Sequence, residues 1–131
     1  MKYMLLMMGT QGGWEQMSTW SPEDITAHID FMDVLGSDLS ASGELVDSQG
    51  LAGPQQAKIV RADGDGPPAV TDGPFPEAKE FLAGYWIVDC ERPERAIEIA
   101  ARASAAPGPN GDPINMPIEV HPMMEAPGEE M

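Results

Sequence analysis

The chain has little that could staple, charge positively or anchor it. One cysteine, Cys90, stands among 131 residues, so no intramolecular disulfide can form. It closes an apolar run, a place for a buried, inert thiol rather than a nucleophile. Bases are scarce: seven Lys and Arg face 22 acids, for a net charge of −15. Such a surface repels phosphate backbones and anionic lipid heads, which argues against a nucleic-acid or membrane-surface role. No apolar run approaches the roughly 20 residues of a membrane span, and Tyr3 to Met8 is too short for the apolar core of a signal peptide. A soluble, cytoplasmic protein is the expectation. Also lacking are a phosphate-binding loop, a dinucleotide fingerprint and a nucleophile elbow. The two His and one Cys show no metal-ligand spacing, and "ADGDG" lacks the twelve-residue pattern of a calcium loop. No cofactor and no metal are expected.

What is present suits one domain with one core. At this length roughly two thirds of the extended chain's surface is buried on folding. Gly (14) and Pro (13) cluster at 62–76 and 107–117, marking loops. Tyr3 to Met8 is apolar at both parities and reads as a strand buried on both faces. "TQGGWEQMSTW" reads as a loop, with Trp14 and Trp20 free to pack down or to line a cleft. Ser21-Pro22-Glu23-Asp24 carries an N-cap, a proline at N1 and acids against the helix dipole. A helix of about five turns should follow, with Ile25, Ile29, Met32, Leu35 or Gly36, and Leu39 inward, closed by Gly43.

Strands are expected at 44–51 and 56–62, with Gly53-Pro54 between them, and a short extended piece at 69–71. Phe81 to Val88 is the longest predicted strand. Alternation places Phe81, Ala83, Tyr85 and Ile87 on one face and Leu82, Gly84, Trp86 and Val88 on the other. Pro93 opens a second, Ala-rich helix with Ala96, Ile97, Ala100, Ala101 and Ser104 inward. A loop at 106–115 then leads to a last strand near 116–120. The order β-α-β-β-(β)-β-α-β predicts an α+β ferredoxin-like sandwich, an antiparallel sheet with two helices on one face. Residues 1–122 form the domain, and 123–131 a flexible acidic tail. Since strands 3–8 and 81–88 are apolar on both sides, a homodimer covering the helix-free face is expected.

Four side chains near these elements could carry chemistry. Asp72 opens a turn stiffened by Gly73, Pro74 and Pro76; its carboxylate either caps local N–H groups or stands at a pocket mouth as a base. Lys79 and Glu80 point to opposite faces, so Lys79 is either an anchor for an anionic ligand or a surface charge. His28 lies on the shoulder of the first helix's apolar face, as a core histidine held by a carbonyl or as an acid–base group in a pocket. His121 sits at the exit of the last strand, a rim residue. Tyr85 and Trp86 fall on opposite faces, so one aromatic must look toward the helices with His28.

The segments "KYMLLM", "SPED", "GELVDSQGL", "TDGPFPEAKE", "GYWIVDC" and "IEVHP" together resemble the DGPF, or YCII-related, family of small α+β proteins. The resemblance runs nearly end to end and implies a dimeric, ferredoxin-like α/β barrel. The wider superfamily contains a chlorinated-lactone dehalogenase, and many members are encoded beside extracytoplasmic sigma factors. It therefore implies either a small-molecule-binding protein or enzyme acting on a small carbonyl or lactone compound, or a non-catalytic regulatory module. Three positions depart from the family's pattern: Pro76 replaces Ala, Ala78 replaces Thr, and His121 replaces Arg. Any role resting on that hydroxyl or guanidinium does not carry over.

Overall fold

A computed structural model describes residues 1–72 and 80–125, with Asp72 described for its backbone alone. Six strands and three helices follow in the order β1 (Lys2–Gly9), α1 (Gln11–Met17), α2 (Pro22–Ala41), β2 (Leu45–Gly50), β3 (Lys58–Arg61), β4 (Ala69–Asp72), β5 (Phe81–Asp89), α3 (Pro93–Ser104) and β6 (Ile118–Pro122). Strands β2-β5-β1-β6 form an antiparallel sheet in that order, the ferredoxin-like arrangement of an α+β sandwich. The β3–β4 pair stands apart as a two-stranded sheet, with Lys58 opposite Asp72 and Val60 opposite Val70. Those two short segments were expected within the strand series, and they form an arm of their own.

The helix of 21–43 begins and ends as its punctuation dictates. Ser21 Oγ accepts the Asp24 N–H at 3.1 Å, and Gly43, at φ +81, closes a Schellman turn in which the Glu44 N–H donates to the Leu39 carbonyl at 2.9 Å. Its inward face is turned from the expected one. Leu35 and Leu39 are buried and His28, Phe31 and Met32 half-buried, whereas Ile25 and Ile29 lie exposed. The same rotation occurs on α3, where Ala96, Ile99, Ala100 and Ala103 are buried and Ile97 is exposed. An i, i+3, i+4, i+7 stripe that carries Ile99 and three alanines lets α3 approach the sheet closely.

Residues 11–17, read as a loop, are helical. Thr10 Oγ1 accepts the Gly13 N–H at 3.0 Å and supplies the N-cap. The two glycines at 12 and 13 hide that cap from a propensity reading.

Sheet register sets the faces. Tyr3 pairs with Val88, Leu5 with Trp86 and Met7 with Gly84, all toward the helices. With Leu35, Leu39 and Ile99 they make the core. A bulge then inserts Ala83, so that Met8 meets Leu82 and Gly9 meets Phe81. Simple alternation placed Phe81 beside Tyr85; the bulge carries it instead to the helix side, where its ring lies over Gly9. Gly84 is required by close approach, since a Cβ there would stand 2.8 Å from the Gln49 carbonyl. The last strand runs two residues further than 116–120, so His121 lies within β6 opposite Met4. The tail expected from 123 falls largely on 126–131, outside the described residues; Met123 still donates its N–H to the Lys2 carbonyl at 2.9 Å.

Candidate functional site

A cavity of about 910 Å³ opens between α1, α2, the helix-facing side of the sheet and the loop of 109–117. That is the size of pocket that takes a small organic molecule. Its lining is rich in large soft side chains, among them Trp14, Trp20, Trp86, Met17, Met32 and Met116. Each is placed by an identifiable constraint. Trp14 is carried by α1, its ring against Gly53, where an added Cβ would stand 2.5 Å from Cζ2. Trp86 enters from β5, buried, with its indole N–H donating to the Met7 sulfur at 3.2 Å. Trp20 precedes the α2 cap and meets His28 in a T-shaped contact, with ring centroids 5.7 Å apart at 75°.

His28 is on the cavity wall. Its Nδ1 lies 3.1 Å from the Pro107 carbonyl. A carbonyl only accepts, so Nδ1 carries the proton, and in the neutral ring the lone pair belongs to Nε2. The carbonyl arrives from the short loop after α3, in which Pro107 bridges to Pro113. Thus one nitrogen of His28 is held by backbone, and the ring borders a cavity. Among the described residues Nε2 has no hydrogen-bond partner.

The other candidates are distributed around the sheet. Trp86 joins His28 on the helix side. Tyr85 also borders the cavity, but by register its side chain belongs to the opposite face, where its hydroxyl donates to Asp47 Oδ2 at 3.0 Å. That hydrogen bond, with some burial, pushes the phenol's pKa up. His121 is on that same far face, its Nε2 2.9 Å from Glu119 Oε1. It is exposed and remote from His28 in the sheet sandwich. Asp72 ends β4 by its backbone, and residues 73–79, where the sequence predicts a turn and which include Lys79, lie outside the described residues. Cys90 is buried, and desolvation pushes its thiol up, the setting of an inert cysteine. Among the described residues no group of three His, Cys, Asp or Glu converges as a metal site, and no helix is long and apolar enough to cross a membrane.

Sequence reasoning did not find the methionines or the Pro107 carbonyl. Ten methionines in 131 residues were the available signal for an adaptable cavity wall. The carbonyl had none, because a loop 79 residues away supplies it.

The chain is 34% identical over 77 residues to an uncharacterised protein of Rhizobium meliloti (strain 1021), spanning 58% of each chain, and so covers little more than half of that relative's length. Residues 1–108, which contain β1 through α3, the capped α2 with His28 and the Pro107 carbonyl that holds it, match the YCII-related domain, and the chain belongs to that family.

Proposed function

We propose that the chain is a YCII-related small-molecule-binding protein or enzyme whose ligand occupies the cavity between the sheet and α2. One observation carries the reading: His28, its Nδ1–H committed to the Pro107 carbonyl, lies on the wall of a 910 Å³ apolar cavity. A neutral imidazole held in one tautomer offers Nε2 as a proton acceptor, as removal of a proton α to a carbonyl or lactone would need. Geometry supports Trp86 as an aromatic wall beside it. Tyr85 and His121 would act on the other face of the sheet.

The test is a thermal-shift screen of small lactones and carbonyl compounds, repeated on His28→Ala and Asp72→Asn. A compound that raises the melting temperature of the parent and not of a folded His28→Ala is the expected result. Stabilisation that persists unchanged in His28→Ala removes His28 from the site.

Assembly belongs to the same proposal. The far face of the sheet carries Met4, Leu6, Met8, Leu82, Tyr85 and Ile87, and a second copy covers it. A non-catalytic interaction module linked to sigma-factor signalling is the second reading. It draws on the −15 charge and on the exposed Val60–Val70 pair of the β3–β4 arm. A screen without hits, together with capture of a basic protein partner, favours that module.

A further inference from the structure

We infer that the cavity's occupant is a flat aromatic organic cation, an inference that rests on the cavity reading above. Three observations point the same way. The walls present three tryptophans, whose negative π-faces attract a cation, and Trp is the strongest of the aromatic side chains in this respect. Four methionines, at 7, 17, 32 and 116, give a polarizable surface that adapts to flat rings. The charged side chains bordering the cavity are both acids, each exposed to solvent: Asp33, little more than one turn beyond His28 on α2, and Asp112 in the loop after α3.

Among the described residues no Lys or Arg lines the cavity. Arg95 is committed to Glu44 and Glu98, and Arg102 to Asp38, all away from it. An anionic ligand would meet two carboxylates without a compensating base on these walls, within a molecule already at −15. A neutral aromatic would gain the apolar contacts alone. A delocalised cation gains both, and being weakly hydrated it loses little on leaving water.

The experiment uses one ring system at three charges: N-methylacridinium, acridine and acridine-9-carboxylate, titrated calorimetrically into the intact protein at neutral pH. N-methylacridinium should bind about tenfold tighter than acridine, the scale of one desolvated cation–π contact with its carboxylate support. The carboxylate should bind weakest. In Asp33→Asn/Asp112→Asn the preference for the cation should fall to about twofold or less while acridine affinity stays. Met32→Trp, which narrows the cavity beside His28, should lower the affinity of acridine and of its methylated cation alike, with the circular dichroism unchanged.

Acridine binding as tightly as its methylated form, or the carboxylate binding tightest, overturns the charge class and leaves the cavity reading standing. Cation binding unchanged by both Met32→Trp and Asp33→Asn/Asp112→Asn is surface attraction and overturns the inference as well. If none of the three binds, the inference fails and the thermal-shift screen judges the cavity on its own.

Discussion

Glu44 and Arg95 show what single residues contribute here. Arg95 Nε and Nη2 meet the two carboxylate oxygens of Glu44 at 2.8 and 2.9 Å, a bidentate pair between the start of β2 and α3. Ser42 adds a third hydrogen bond, and the Glu44 carboxyl is held down from 4.5 to about 2, first by Arg95. The folded-state pKa is depressed, so the pair stabilises fully above the unfolded value. That stabilisation is lost as pH falls from about 4.5 toward about 2. Arg95 is partly exposed, so solvent limits the contribution to about 1–2 kcal/mol. Urea denaturation of the parent and Glu44→Gln should differ by that amount at neutral pH and converge near pH 2. A difference that stays constant with pH would show that the pair contributes through packing alone. None of this was visible in sequence, because residues 44 and 95 meet only through the fold.

Elements divide by whether their signals are local. Helix α2 was readable because its cap, N1 proline, acidic first turn and closing glycine all lie within 23 consecutive residues. Its terminus gives a direct test. Gly43 sits at φ +81 with open space around it, so Gly43→Ala brings backbone strain without a clash. Thermal denaturation should show a loss of about 1–2 kcal/mol, with the cavity's ligand affinity unchanged. An unchanged melting temperature would mean that the turn relaxes. The seven-residue α1 was missed because Gly12 and Gly13 lower intrinsic helicity, while Trp14 against Gly53 supplies tertiary support. The faces of β5 were half readable. Alternation placed Tyr85 and Trp86 correctly on opposite sides, and the Ala83 bulge then reversed Phe81 and Leu82.

At the scale of the molecule, the helices leave one sheet face open. Met4, Leu6, Met8, Tyr85 and Ile87 are only half-buried there, and Leu82 is exposed. An apolar face of this kind calls for a partner, and the proposal is a second copy. Light scattering at micromolar concentration should return twice the 14.0 kDa chain mass. Leu6→Glu, which puts a charge in the middle of that face, should return a monomer with its circular dichroism retained. A parent protein that runs as a monomer overturns the proposal. The separate β3–β4 arm, marginal as a two-strand unit, would gain support in the same assembly.

The sequence by itself determined the α+β class, the order of the main elements, the boundaries of α2 and the family. Those rest on short-range patterns: apolar runs, caps, prolines and glycines a few residues apart. It also turned His28 toward the helix–sheet interior, with one of Tyr85 and Trp86 beside it. Only the tertiary structure decided which aromatic that is and what surrounds the pair. It brought the Pro107 carbonyl to His28, folded α1 so that Trp14 joins Trp20 and Trp86 around one cavity, and sent Tyr85 and His121 to the other side of the sheet. Each outcome depends on register, a bulge or a contact between segments up to 79 residues apart. No local pattern encodes such a contact, because its energy exists only once both segments are packed on the same sheet.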